Sequence, residues 1–134
     1  MNQKTIKNGL ILAALMNFSV LIFSRGFTNE AINEADPVVM SNFGLLMIVM
    51  WGLAYLSAVP VKSNIKWIAG AFAIEKLIYG VVWVNWLSEN SLEALYAKDL
   101  FAGVFYSIYG LNDIIFMIFF VWVFVSSSRY NQSQ

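Results

Sequence analysis

Three ionisable residues lie inside long apolar stretches of this chain, where charge is costly. Glu75 and Lys76 are adjacent at the centre of the run from Trp67 to Leu87, and Asp113 interrupts the run from Leu100 to Val125. A charge at the centre of a bilayer costs roughly 2.5 to 3.5 kcal/mol on insertion scales, so such residues are retained where they pair or have a function. Carboxyl groups there can bind a cation or transfer a proton. These residues are therefore the first candidates for a functional site.

Helical spacing assigns Glu75 and Lys76 to different faces of one helix. Glu75 recurs at intervals of three and four with mostly aromatic residues, whereas Lys76 recurs mostly with small ones. The first stripe contains Phe72, Tyr79, Val82 and Trp86, and the second contains Ala69, Ala73, Gly80 and Trp83. Small residues are typical of faces where membrane helices pack closely. Lys76 is therefore predicted to lie on the tightly packed face.

The run that contains Asp113 has a matching face with glycines at 103 and 110. Antiparallel registration places Asp113 within about one helical turn of Lys76 in depth, at about 1.5 Å per residue. We predict that Lys76 pairs with Asp113, which leaves Glu75 without an obvious basic partner. Burial then favours the neutral form of Glu75. The reverse assignment, with Glu75 paired and Asp113 protonated, stays open.

Further polar residues extend this site from the midplane toward the outer side. The remaining candidates for ligand binding or proton coupling are Asn17, Tyr79, Tyr106, Tyr109, Asn112 and Arg25. Toward the cytoplasm, the stretch 114–125 carries no polar group except the indole of Trp122. A continuous aqueous pore needs polar lining along its length or at most a short apolar gate. The pattern therefore predicts an outward-opening pocket that ends at the charged residues.

Composition indicates which elements position these residues. The chain has 134 residues, of which 60% are hydrophobic and 12% charged, whereas soluble domains carry about 25% charged residues. Apolar runs predict spans at about 9–25, 38–59, 66–87 and 100–125, followed by a loosely ordered cytoplasmic tail at 126–134. Short connections favour one domain over 1–134. The expected fold is an all-α integral membrane four-helix bundle with up-down-up-down topology.

Loop charges predict the orientation of this bundle. One side carries five Lys or Arg residues and the other carries two. The first group is Lys4, Lys7, Lys62, Lys66 and Arg129, and the second is Arg25 and Lys98. The positive-inside rule therefore places both termini in the cytoplasm. The expected location is the inner (plasma) membrane of a bacterium.

Capping residues refine the predicted boundaries. Asp36 with Pro37 is typical of a helix start, which predicts that the second span begins there. Ser63 or Asn64 is expected to cap the third span. Asn90 with Glu93 resembles a capping box, which predicts a short helix on the outer surface before the fourth span. The segment from Thr28 to Ala35 is expected to be a polar outer loop with a helical turn.

The absence of cysteine and histidine narrows the possible chemistry. It excludes thiol catalysis, disulfide redox chemistry and ordinary zinc sites, and it leaves only Met or Tyr as usual haem ligands. No cofactor or metal site is predicted. The zero net charge without a basic patch gives no support to nucleic acid binding.

Three classes of function follow from these patterns. The favoured class is a ligand-binding or transport bundle whose pocket takes a small amphipathic or cationic molecule. The second is a non-catalytic accessory subunit of a larger membrane complex, in which Gly44, Gly52 and the small residues of the third span form intersubunit faces. A stoichiometric partner subunit is expected for this second class, whereas a homo-oligomer is expected for the first. The third is a lipid-modifying enzyme with Glu75 and Asp113 as acid and base, which no nucleophile motif supports. The charged pair can also serve only to fix helix register.

Overall fold

The computed structural model describes the backbone of residues 2–132 and the side chains of residues 2–127. The described chain is helical and contains no strand, which confirms the all-α prediction for this part. The helices are α1 (Gln3–Phe18), α2 (Val20–Phe23), α3 (Glu30–Ala35), α4 (Asn42–Ala58), α5 (Ile65–Glu89), α6 (Leu92–Lys98) and α7 (Leu100–Gln132).

Within the described residues, three helical segments are long and apolar enough to cross a membrane, namely Gln3–Phe23, Ile65–Glu89 and Leu100–Ser127. Helix α4 is also apolar but has only 17 residues, which gives about 25 Å at about 1.5 Å per residue. That length is less than the hydrocarbon core, about 30 Å thick. The fold is therefore compatible with an integral membrane protein.

The long helices associate as two pairs. Helix α1 packs along α4, and α5 packs along α7, whereas backbone contacts between the two pairs are sparse. Apolar residues form two separate clusters, one around Tyr55 and Phe120 and the other around Tyr106 and Trp86. A layer of buried polar side chains lies between these clusters along α1, α5 and α7. We call the α1/α4 and α5/α7 pairs the two hairpins.

Helix α4 begins later than the sequence predicts. Ser41 is its N-cap, and the Ser41 hydroxyl accepts a hydrogen bond from the Gly44 amide at 3.1 Å. Asp36 instead accepts from the Val39 amide at 3.1 Å, in the turn that precedes α4. The prediction that Asp36 and Pro37 begin the span was wrong, because Asp-Pro is as compatible with a turn as with a helix start.

The start of α5 lies where the sequence predicts it, but the capping bonds of α5 and α6 differ from the prediction. Asn64 occupies the N-cap position of α5 in a left-handed conformation, with φ of 58° and no side-chain capping bond. Ser91, rather than Asn90, caps α6 by accepting from the Ala94 amide at 3.2 Å. Asn90 instead donates to the carbonyl of Trp86 at 3.0 Å and closes the end of α5. The predicted short helix exists, but its capping box does not.

The last helix continues beyond the predicted span. Helix α7 extends to Gln132, so residues 126–132 are helical rather than loosely ordered. Residues 133–134 and the side chain of Arg129 lie outside the described part of the chain. Local sequence did not indicate this extension, since the polar tail lacks an apolar periodicity.

Helices α3 and α6 cover one end of the bundle, and we call them the cap. Tyr106 donates its hydroxyl hydrogen to the Ile32 carbonyl at 2.8 Å, and the indole of Trp86 donates to the Ala35 carbonyl at 2.9 Å. Lys98 of α6 forms an ion pair with Glu34 of α3. The segment that was predicted to be a polar loop with one helical turn is therefore a docked helix over much of its length.

Asp99 joins the cap to the start of α7. Its carboxylate accepts from the Ala102 amide at 2.8 Å, from the Asn29 side chain at 2.9 Å and from Arg25 at 2.9 Å. Although desolvation opposes ionisation, these hydrogen bonds lower the pKa of Asp99 to about 2. The capping interaction is therefore charged at neutral pH.

Candidate functional site

Lys76 lies at the centre of the polar layer between the hairpins. Its Nζ is 2.7 Å from Asp113 Oδ1 and 3.1 Å from Asn17 Oδ1, and the Lys76 residue is only 1% exposed. The Nζ also lies 5.2 Å from the ring centroid of Tyr55, a distance typical of a cation–π contact. Helices α1, α5 and α7 thus meet at one ammonium group, with the pairing that the small-residue stripe favoured.

Asn17 holds this layer in a fixed orientation. Its Nδ2 donates to the Ile48 carbonyl of α4 at 2.9 Å, so that Oδ1 is directed at Lys76. One amide therefore connects α1, α4 and α5. On α7, Asn112 Nδ2 lies 3.4 Å from Asp113 Oδ1, which is a weak hydrogen bond. Both asparagines adjoin the buried ion pair.

Glu75 has a different partner from Lys76. The Tyr55 hydroxyl donates a hydrogen bond to Glu75 Oε2, and the Glu75 residue is 6% exposed. Among the described side chains, the ion pairs within 4.0 Å do not include Glu75. The carboxyl group is thus buried next to a hydroxyl donor and without a direct basic partner.

Tyr55 is the member of the layer that the predicted site did not include. It lies on α4, in a helix whose sequence is apolar around it, and it is fully buried. Its ring packs against Phe72 at a centroid distance of 4.8 Å and against Phe120 at 5.5 Å. A buried tyrosine needs a partner for its hydroxyl, and this requirement was the feature of the sequence that could have indicated Tyr55. The sequence alone does not identify which carboxyl group that hydroxyl reaches.

A cavity lies beside this layer between the two hairpins. Its free space is about 450 Å³ including the opening, but the centre of a water molecule fits in only about 40 Å³ of it. One water needs about 10–15 Å³ on that measure, so the cavity holds a few waters. Among the predicted site residues, the lining includes Asn17, Glu75, Lys76, Tyr79, Tyr109, Asn112 and Asp113.

The structure does not bring Tyr106 and Arg25 to the cavity. Tyr106 is fully buried, and its hydroxyl is bonded to Ile32 of the cap. Arg25 pairs with Asp99 at 2.9 Å and lies over the ring of Phe101 at 4.8 Å. Both residues hold the cap in place. The depth in the membrane that the sequence predicted for Tyr106 and Arg25 did not indicate this role. The role depends on how α3 packs back onto the bundle.

Tyr109 is placed at the cavity by its aromatic neighbours. Its ring lies 5.2 Å from that of Phe105, 5.6 Å from that of Tyr106 and 6.4 Å from that of Trp83. The Trp83 indole in turn donates to the Tyr106 carbonyl at 2.6 Å. Within the described part of the chain, the Tyr109 hydroxyl oxygen is the buried side-chain nitrogen or oxygen atom that has no hydrogen-bond partner.

The aromatic cluster around Tyr106 and Trp86 shares Val20, Phe105 and Tyr109 with the lining of the cavity. The lining residues that keep partial exposure lie on both hairpins, where the two hairpins meet. They are Met16, Ser19, Phe23, Ile48, Tyr79, Ile108 and Asn112. The cavity therefore lies along the contact between the hairpins, which consists mainly of side chains.

The fold and this site together define a class. The chain is a small all-helical protein, compatible with insertion into a membrane through its three long apolar helices, and a charged layer is buried among its helices. Comparisons with family models, with curated proteins and with solved structures found no match to this chain. Its function must therefore be argued from the geometry of the site.

Proposed function

We propose that this protein is a four-span bundle of the bacterial inner membrane that binds a small amphipathic or cationic ligand in the cavity between its hairpins. Its topology is up-down-up-down, with both termini cytoplasmic. The observation that carries the proposal is the buried Glu75 carboxyl group, which lines the cavity without a direct basic partner. An intramembrane ionisable residue of this kind is by default a candidate for function.

Exchange of a proton for a cation is the chemistry that this arrangement supports. Tyr55 donates to one oxygen of Glu75, and Lys76 is already paired with Asp113. A ligand ammonium group that reaches Glu75 takes the place of its proton and pairs with the carboxylate. The ring of Tyr79, which lines the same cavity, offers an aromatic face to the ligand, and such contacts contribute about 0.5–2 kcal/mol.

The dimensions of the cavity favour a compact ligand. Space for a few waters suits an alkylammonium ion better than a bulky drug-like molecule. Because the hairpins contact each other mainly through side chains, movement of one hairpin against the other would admit the ligand. Transport is the extension of this proposal in which the site opens alternately to each side.

Packing of the glycines weakens the accessory-subunit alternative. A Cβ atom on Gly52 would lie 2.7 Å from the ring of Phe18, and one on Gly80 would lie 3.4 Å from Ile114. Both glycines therefore serve contacts inside this chain. Gly44 approaches the Val39 carbonyl in its own N-terminal turn. These three glycines therefore contact other parts of this chain.

Binding of propylammonium to the protein in lipid nanodiscs tests this proposal. A ligand that binds only the folded state raises its thermal stability in a saturable way. We expect saturable stabilisation of the wild-type protein together with proton release into a weakly buffered solution. Glu75→Gln keeps the shape of the side chain but cannot release a proton, so propylammonium affinity should fall by at least about tenfold, since charge-assisted contacts are worth about 1.5–3 kcal/mol.

Glu89→Gln is the matched control. It makes the same change at an exposed position at the end of the same helix, and it should bind propylammonium as the wild-type protein does. If Glu75→Gln folds normally and keeps both the binding and the proton release, Glu75 is structural and the accessory-subunit alternative is preferred.

A further inference from the structure

Tyr109 is a second polar residue in the lining of the cavity. Tyr109 is 7% exposed, and its hydroxyl has no hydrogen-bond partner in the described part of the chain. The stacked ring of Phe105 and the edge contacts of Tyr106 and Trp83 restrict movement of the Tyr109 ring. The hydroxyl therefore cannot easily turn toward another protein acceptor.

A buried hydroxyl group without a partner is unfavourable, and such groups in folded proteins are normally satisfied. The adjacent free space is the cavity that Tyr109 lines together with Glu75. An occupant of that cavity can satisfy Tyr109 if it presents an oxygen atom. The same occupant can pair with Glu75 if it also carries a positive charge.

We propose that the ligand is a compact amino alcohol, with its ammonium group at Glu75 and its hydroxyl oxygen accepting a hydrogen bond from Tyr109. This inference rests on the proposed function, because it specifies the ligand of the same site. A short carbon chain between the two groups is consistent with a cavity that holds only a few waters. Tyr109 is then the residue that selects among small cations.

Selection of this kind follows from the cost of unsatisfied polar groups. A site built to hydrogen-bond a hydroxyl group rejects an analogue that lacks it, because the polar group of the protein is left unpaired. Ethanolammonium and propylammonium form a matched pair, since a hydroxyl in one takes the place of a terminal methyl in the other. Their relative affinity therefore reports on the Tyr109 contact alone.

Dissociation constants of both ions, measured in nanodiscs of phosphatidylcholine and phosphatidylglycerol, test the inference. The wild-type protein should bind ethanolammonium about tenfold more tightly than propylammonium. Tyr109→Phe should reverse this preference, because the ligand hydroxyl would lose its partner but still be desolvated. Tyr96→Phe is the control, since the Tyr96 hydroxyl bonds to Ser107 outside the cavity, and it should keep the preference.

The outcomes separate this inference from the proposed function. Equal affinity of the wild-type protein for the two ions, or a preference that survives Tyr109→Phe, overturns the amino alcohol and leaves cation binding intact. In that case Tyr109 is satisfied by water alone. Failure of both ions to bind in a Glu75-dependent way overturns both proposals. If Tyr109→Phe does not fold, equal affinity of the wild-type protein for the two ions still overturns the amino alcohol, and a tenfold preference for ethanolammonium still supports it.

The amino alcohol could be a free solute or the headgroup of an ethanolamine lipid. Adding phosphatidylethanolamine to the nanodiscs distinguishes these sources. If the headgroup occupies the site, the apparent affinity for free ethanolammonium should fall about in proportion to the lipid fraction. If it is unchanged, the ligand is a free solute. Both results support the same ligand chemistry.

Discussion

At the scale of single residues, the described interior contains few charged groups, and each of them contacts a neighbouring polar side chain. Lys76 contacts Asp113 and Asn17, and Tyr55 contacts Glu75. A buried ion pair is not necessarily stabilising relative to an apolar pair, because desolvation offsets the attraction between the charges. Removal of one member is nevertheless costly, because the other is left as an uncompensated charge.

This asymmetry gives a prediction for the pair. Lys76→Met should lower the free energy of unfolding by about 3–5 kcal/mol, because it leaves Asp113 buried without a counter-charge. The double variant with Lys76→Met and Asp113→Leu should lose much less, because neither charge remains. Denaturation in mixed detergent micelles, followed by circular dichroism, measures both values.

Lys62→Met provides the baseline for this cycle, since Lys62 is exposed and its replacement should change stability by less than about 0.5 kcal/mol. Additive losses in the double variant would show that Lys76 and Asp113 do not act as partners. Such a result would also remove the argument that Glu75 is the carboxyl group left for a ligand.

At the scale of elements, the contact between α5 and α7 determines where the site residues lie. Gly110 of α7 lies directly against the indole of Trp83 of α5, and a Cβ atom there would be 1.9 Å from a ring carbon. Trp83 in turn contacts the ring of Tyr109. Close approach at Gly110 therefore positions an aromatic group that contacts the ring of Tyr109 in the cavity lining.

Two glycines on this interface give contrasting predictions. Gly110→Ala should lower the free energy of unfolding by about 1–3 kcal/mol, because Trp83 must shift to admit the methyl group. Gly80→Ala should be nearly neutral, since its nearest contact is Ile114 at 3.4 Å, an ordinary van der Waals distance. The same detergent denaturation measures both variants. Equal losses would mean that the α5/α7 approach is not set at Gly110.

At the scale of the whole molecule, basic residues distinguish the two ends of the bundle. Lys4, Lys7, Lys62 and Lys66 lie near the end where Ile6, Ala58, Ile65 and Val123 pack together. Lys66 lies 4.8 Å from the ring of Trp67 and 5.0 Å from that of Phe124, an amphipathic arrangement typical of a membrane interface. The cap lies at the opposite end.

The resulting topology can be measured directly in cells. Because the lysine-rich end should face the cytoplasm, a fluorescent protein fused to the C-terminus should be fluorescent and alkaline phosphatase fused there should be inactive. A phosphatase inserted after Glu93 in the cap should be active. Activity of the C-terminal phosphatase fusion would reverse the orientation and place the cap in the cytoplasm.

The sequence by itself predicted the all-helical fold and the buried ion pair. Long apolar runs can form only helices where water is absent, so the all-helical fold followed from composition. The pairing of Lys76 with Asp113 was predicted because small residues and depth are both encoded in helical spacing. The expected depth of Tyr109 in the fourth span placed it, together with Tyr106, among the site candidates.

Tertiary structure decided the features that depend on contacts between distant segments. The cap formed because Ile32, Tyr106 and Trp86 meet across the fold, and no local pattern encodes that meeting. Tyr106 and Arg25 bond to Ile32 and Asp99 of this region and do not line the cavity. Helix α4 begins at Asn42, after the turn at Asp36. Tyr55 joined Glu75 because α4 and α5 come together at that level. Helical periodicity specifies the face of the helix on which a residue lies, but only tertiary packing specifies what that face contacts.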